Sequence, residues 1–127
     1  MLMFVLAIGA GSARAISSLV PQDKESQTAA STFDLQKLAE GVYALIRKEP
    51  PGLMFNANIV FIINDDDVVV VDTTITPTSA KEGLAALRKL TNKPVRYVVN
   101  THWHPDHISG NQVYRDAFPG VSSSRKR

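Results

Sequence analysis

The sequence predicts an α/β fold, a sheet whose last parallel strand pair is joined by one helix. Three observations carry this. Two β-branched apolar runs, Ile59 to Ile63 and Val68 to Val71, flank the polar stretch Asn64-Asp65-Asp66-Asp67, which reads as a hairpin loop. Ser79-Ala80-Lys81-Glu82 forms a capping box just after Pro77, and Ala80, Leu84, Leu87 and Leu90 then recur at helical spacing. Asn92 and Pro94 end that helix, and the run Val95 to Val99, broken only by Arg96, supplies another strand. Strand, helix, strand implies a right-handed crossover and a parallel pair. The runs are continuously apolar rather than alternating, so the pattern predicts strands covered on both faces.

Composition sets the bounds. A chain of 127 residues with 44% apolar content suits one domain with an ordinary core. The formal net charge of +2 gives little pull on anionic partners, and no nucleic-acid partner is expected. There is no cysteine, which excludes disulfides and thiolate metal sites. Any metal must be held by nitrogen and oxygen.

In chain order, Met1 to Ala15 reads as a secretory signal. Leu2 to Ala10 is apolar, Gly11 and Ser12 break the run, and Ala13-Arg14-Ala15 is a small-x-small cleavage pattern. No Lys or Arg precedes the apolar run, a departure from the usual pattern. The run is too short to span a bilayer, so the expectation is a periplasmic or secreted protein with no stable membrane anchor. Ile16 to Thr32, rich in Ser, Gln, Thr and Ala, reads as a flexible leader. From Phe33 the spacing of Phe33, Leu35, Leu38, Val42, Ala44 and Ile46 suggests two short strands joined at Glu40-Gly41, with a helix over Phe33 to Glu40 as the competitor for the first. Pro50-Pro51-Gly52 is a turn. Asp65, Asp66 and Asp67 read as a solvated turn tip rather than a cation site, because adjacent side chains in a turn seldom converge. Ser109-Gly110-Asn111-Gln112 opens a second helix with a cap box, Val113, Tyr114 and Ala117 form its apolar side, and Phe118-Pro119-Gly120 stops it. Its N-terminal dipole, beside the cluster described next, favours anions. Ser122 to Arg127 reads as a frayed basic tail.

The chemistry concentrates in Thr101-His102-Trp103-His104-Pro105-Asp106-His107, which holds all three histidines of the chain. Imidazole nitrogen and carboxylate oxygen are the donors Zn²⁺ takes where thiolate is lacking. His102 and His104 are alternate residues whose rings can face one side. Pro105 turns the backbone, and Asp106 and His107 present from a new direction. Four donors on one loop crowd a single tetrahedral ion and suit two adjacent ions, His102 and His104 on one, Asp106 and His107 on the other. Paired ions of this kind lie ~3.5–4 Å apart. Asp72 ends the Val68 to Val71 strand. It lies near this loop if the two strands are neighbours, and it is otherwise a strand-terminal turn former.

His102-Trp103-His104-Pro105-Asp106-His107 resembles the HxHxDH motif of the metallo-β-lactamase superfamily. The resemblance extends to Gly110-Asn111 and to Val68-Val69-Val70-Val71-Asp72, and it covers residues 33–121, the first part of that domain. It implies a four-layer αββα sandwich, of which only the first αβ half is present here. It implies metal ligation by His102, His104, Asp106 and His107, with Asp106 also orienting the attacking water. It gives Asp72 the role of an acceptor that supports the metal loop. It implies two Zn²⁺ ions in the complete domain, with Fe or Mn as alternatives, and hydrolysis of a small-molecule β-lactam, thioester, ester, lactone or phosphoester. Trp103 either lines the pocket mouth or packs under the loop.

A count limits this reading. Catalytic zinc takes about three protein ligands plus water, so two ions need about six, and the loop supplies four. By resemblance the remaining donors lie downstream, so the chain reads as an N-terminal fragment or the product of a truncated or frame-shifted gene. A half-sandwich leaves a sheet face uncovered, which predicts self-association. Three readings therefore compete: a hydrolase seen in part, a non-catalytic metal-binding module outside the cytoplasm, and an enzyme completed by a partner chain.

Overall fold

A computed structural model describes residues 31–48 and 55–124. The signal expected at Met1 to Ala15, most of the leader, the Pro50-Pro51-Gly52 turn and the last three residues lie outside the described residues. Strands β1 (Phe33–Ala39), β2 (Val42–Arg47), β3 (Ile59–Ile63) and β4 (Val68–Val71) are followed by helix α1 (Pro77–Leu90) and strand β5 (Val95–Val99). Helices α2 (Pro105–Ile108) and α3 (Asn111–Ala117) and strand β6 (Ser122–Ser124) complete the order. All six strands form one sheet in sequence order. The first four run as an antiparallel meander, while β5 joins β4 and β6 joins β5 in parallel.

The two hairpins follow from local chemistry. Gly41 takes φ +68° between β1 and β2, where a Cβ would meet the Ile63 carbonyl oxygen at 2.6 Å. So Phe33 to Ala39 is a strand, and the competing helix does not form. In the β3–β4 loop the Asn64 N–H donates to the Asp67 carbonyl at 2.9 Å, and the Asn64 side chain donates to the Asp67 carboxylate at 2.8 Å. The acidic stretch is thus a turn tip.

Helix α1 starts three residues before the capping box suggests. Thr76 is its N-cap, accepting the Ser79 N–H at 3.1 Å, and Pro77 occupies the first turn, where its missing N–H costs nothing. This frees Glu82 from capping. Its carboxylate instead reaches back to Thr32, accepting from the backbone N–H at 2.7 Å and from the hydroxyl at 2.5 Å, and to the Ser31 hydroxyl at 2.9 Å. The end of the supposed leader is therefore tied to α1. Burial alone would raise the Glu82 pKa, but the Thr32 and Ser31 hydrogen bonds and the nearby Arg47 charge outweigh it and hold the carboxyl below its ordinary value.

Leu45, Ile59, Phe61, Val68, Val70 and Val98 meet Ala80 and Leu87 of α1 and Val113 and Tyr114 of α3 in one core. Tyr114 is fully buried, which pushes its phenol pKa up. The other sheet face corrects the expectation of strands covered on both sides. By register, Val42, Ile62, Val69 and Tyr97 form one row across it, and Ala44, Val60, Val71 and Val99 another. Tyr97 is 44% exposed and Val99 38%. Ile59, Phe61, Val68 and Val70 are buried while Val60, Ile62, Val69 and Val71 are only half-buried. Among the described residues both long helices lie on the first face. The tail reading also changes: Ser122–Ser124 pair with Tyr97 to Val99 as β6, and the Arg115 guanidinium donates to the Ser123 hydroxyl at 2.7 Å.

Candidate metal centre

The centre is built where the parallel pair β4–β5 ends. The Asp72 N–H extends the ladder by donating to the Val99 carbonyl at 2.9 Å. Asp72 itself sits at φ +58° and Thr74 at φ +66°. Left-handed backbone at a buried β-branched residue such as Thr74 costs on the order of 1–3 kcal/mol, so the surrounding packing must hold it. Between them the Thr73 N–H donates to the His107 carbonyl at 2.9 Å, which docks the loop after β5 onto the end of β4.

A polar clasp completes the docking. Asn100 Nδ2 donates to the same His107 carbonyl at 2.8 Å, Asn111 Nδ2 donates to Asn100 Oδ1 at 2.8 Å, and the Thr73 hydroxyl donates to Asn111 Oδ1 at 2.8 Å. Gly110 is the N-cap of α3, and a Cβ there would lie 2.0 Å from the Thr73 carbonyl oxygen and 2.5 Å from Ala80 Cβ. Only glycine permits this approach. The cap box expected at Ser109 does not form. Pro105 starts a one-turn helix, α2, inside the histidine cluster, and Ser109 becomes its C-cap. Helix α3 therefore begins at Asn111, with Gly110 as its N-cap and no side-chain cap.

On this support the loop presents its donors. The Asp72 carboxylate is buried and accepts three hydrogen bonds. They come from the Thr101 N–H at 2.9 Å, the Thr101 hydroxyl at 2.8 Å and His107 Nδ1 at 2.8 Å. A carboxylate only accepts, so His107 donates from Nδ1, and Nε2 is then the nitrogen that carries the lone pair of the neutral ring. That Nε2 lies 3.3 Å from Asp106 Oδ2. Two acceptors face each other there, an arrangement that needs a cation or a proton between them. The His102 ring lies 3.8 Å from the His107 ring and 4.6 Å from the His104 ring, centroid to centroid. His102 and His104 are exposed, Asp106 and His107 half-buried.

All four donors predicted from sequence therefore share one rim, with Asp72 beneath. The donor types and the facing His107–Asp106 pair fit a divalent metal. Among the described residues, no three His, Asp or Glu side chains close around a common point. Trp103 does not pack under the loop. It is 70% exposed and, with Phe55, Ile75, His104, Pro105 and Asp106, lines a cleft of about 300 Å³. Sequence reasoning gave no role to Thr73, Asn100 or Phe55. Their signal is positional, since each lies at a strand end or in a loop that only the register brings to this edge.

Residues 53–124, more than half of the chain, match the family model of the metallo-beta-lactamase superfamily. The chain belongs to that superfamily. Its fold matches part of that of solved metallo-beta-lactamases. A metallo-beta-lactamase from Erythrobacter litoralis aligns with TM-score 0.60 and 26% identity over 72% of this chain and 40% of that one. The FIM-1 metallo-beta-lactamase of Pseudomonas aeruginosa, solved in a mono-zinc form, aligns with TM-score 0.58 and 19% identity over the same shares, 72% and 40%. Among curated relatives, a linear primary-alkylsulfatase of a Pseudomonas species is 37% identical over 49 residues, 39% of this chain and 9% of the relative. A hydroxyacylglutathione hydrolase of Gloeobacter violaceus is 35% identical over 65 residues, 51% of this chain and 25% of the relative. The superfamily chain described here thus spans a quarter or less of those relatives and two fifths of the solved structures.

Proposed function

We propose that this chain carries the first ligand loop of a zinc-dependent hydrolase acting on an acyl or phosphoryl centre of a small molecule outside the cytoplasm. The observation that carries this reading is the buried Asp72 carboxylate holding His107 so that Nε2 faces the Asp106 carboxylate. His102 and His104 would hold one ion and Asp106 and His107 the second, with Fe or Mn as alternatives for this donor set. Bound zinc supplies Lewis acidity that brings the ionisation of water near neutral pH. Asp72 fixes the His107 imidazole, and the Asp106 carboxylate would accept a proton and orient the attacking water. The apolar cleft beside His104 and Asp106, walled by Phe55, Ile75 and Trp103, would take the non-reacting part of the substrate and exclude water from it. The relatives that cleave a sulfate ester or a thioester support a hydrolytic reaction and leave the bond open between ester classes.

A second reading rests on the donor count. Four donors on one loop fall short of the six or so that two ions need, so the remaining ligands would come from elsewhere, in a partner chain or in further sequence. Zinc content of the purified chain, set against the His102→Ala, His104→Ala double variant, tests the site. Binding in the first and loss in the second is the expected result, and equal zinc in both removes the assigned ligands. Turnover of a panel of thioester, sulfate ester, phosphoester and lactam substrates, measured across protein concentration, separates the two readings. Rate per chain that rises with concentration favours assembly.

A further inference from the structure

The Thr101 hydroxyl oxygen touches three groups. It lies 2.8 Å from Asp72 Oδ2, 3.1 Å from His102 Nδ1 and 3.2 Å from His107 Nδ1. A hydroxyl has one proton to give and two lone pairs to accept with. The carboxylate has no proton to offer, so the hydroxyl proton goes to Asp72 Oδ2. The oxygen can then only accept from the imidazoles. His107 Nδ1–H has a nearer acceptor, Asp72 Oδ2 at 2.8 Å. The oxygen therefore remains for His102 Nδ1–H. The Thr101 N–H, donating to Asp72 Oδ1 at 2.9 Å, holds the hydroxyl in register with the carboxylate.

We propose that Thr101 is a positioning residue that passes the hold of Asp72 on to His102, fixing that imidazole with its proton on Nδ1 and its lone pair on Nε2. One buried carboxylate then sets the tautomer of two histidines, His107 directly and His102 through a hydroxyl. Unconstrained neutral imidazole prefers its proton on Nε2, so the relay imposes the less common form on both. The orientation exists before any ion binds. Its use in metal binding rests on the function proposed above, while the tautomer itself does not.

The test is two-bond proton–nitrogen correlation of the ring nitrogens in ¹⁵N-histidine-labelled, metal-free protein at about pH 8.5. The chain has three histidines, so three ring systems are read. His102 and His107 are expected with the proton on Nδ1. His104, to which neither Thr101 nor Asp72 is hydrogen-bonded, serves as the internal reference with its proton on Nε2. Thr101→Val should return His102 to the Nε2–H form and leave His107 unchanged, and Thr101→Ser should restore His102. Wild-type His102 with its proton on Nε2 overturns the proposal whatever the variants do, as does a His102 signal indifferent to Thr101→Val. Zinc competition with a chromophoric chelator is the second readout. Thr101→Val is expected to weaken binding about 10- to 100-fold, the range seen when a group that orients a ligand is lost, with recovery in Thr101→Ser. Predicted tautomers in a wild-type protein that binds no zinc would sink the metal reading and leave the Thr101 relay standing.

Discussion

Replacing Asp72 by Asn isolates what its charge does. Asn tolerates positive φ better than most residues, so the backbone at φ +58° should hold. The retained Oδ1 still accepts the Thr101 N–H. The new amide nitrogen takes the place of Oδ2, which accepts from the Thr101 hydroxyl and from His107 Nδ1 at 2.8 Å each. A donor now faces Nδ1, so the His107 proton moves to Nε2, the nitrogen aimed at Asp106. The ligand lone pair is lost from the rim. All three hydrogen bonds to the carboxylate lose their charge assistance, about 1 kcal/mol each or about 3 kcal/mol of stability in all. Zinc affinity should fall about 10- to 100-fold, or about 1.4–2.7 kcal/mol. Circular dichroism checks that the variant is folded, and chelator competition reads the zinc dissociation constant. A folded Asp72→Asn protein that binds zinc as tightly as the parent would refute the role given to Asp72.

Gly110→Ala drives a Cβ to 2.0 Å from a backbone oxygen that cannot swing away. The cost should reach the upper end of overpacking, about 3 kcal/mol, or roughly 12–24 °C in Tm for a domain of this size, whereas Gly120→Ala, with no atom within 4 Å of the added Cβ, should lose only the cost of its φ of +103°, about 1 kcal/mol. Thermal melts of the two variants give the ranking directly, and similar Tm losses would contradict it. Glu82 has a lowered pKa in the folded state, so its contribution is complete above the ordinary value of 4.5 and is lost as pH falls through the lowered folded value. Urea unfolding of the parent should exceed that of Glu82→Gln by about 0.5–1 kcal/mol at pH 7, with the gap closing below about pH 4. A gap independent of pH would remove the ionised clasp on Thr32. The sheet face carrying Ile62, Val69, Tyr97 and Val99 should drive self-association of the isolated chain. Sizing chromatography should show oligomers that Val99→Lys reduces, and a clean monomer with cooperative melting would contradict this.

Much of the fold was legible because local chemistry settled it. The β-branched runs, the turn residues Gly41 and Asn64 to Asp67, and the leucines of α1 each follow from short-range preferences that the tertiary fold did not overrule. The donors His102, His104, Asp106 and His107 were legible for the same reason, as four adjacent side chains of the right type on one loop. Where local patterns had a rival, sequence misjudged. Thr76-Pro77 outcompeted Ser79 as a helix start because Pro suits the first turn. Pro105 made a helix turn that displaced the cap at Ser109. Three serines with no apolar character became β6 because an open edge of β5 offered backbone partners, and a backbone ladder does not read side chains.

By itself the sequence determined the order from β2 through α1 to β5, the absence of thiolate chemistry and the identity of the donors, all of which depend on residue type and near neighbours. Only the tertiary structure decided what those donors lean on. Asp72 and Thr101 are 29 positions apart, and Asp72 and His107 35, so their hydrogen bonds exist only because β4 and β5 end side by side. The same parallel pairing put Gly110 against Thr73 and left Thr74 in a left-handed conformation. Which face of the sheet is open was likewise a matter of where two helices pack, and the valine runs read the same on both sides.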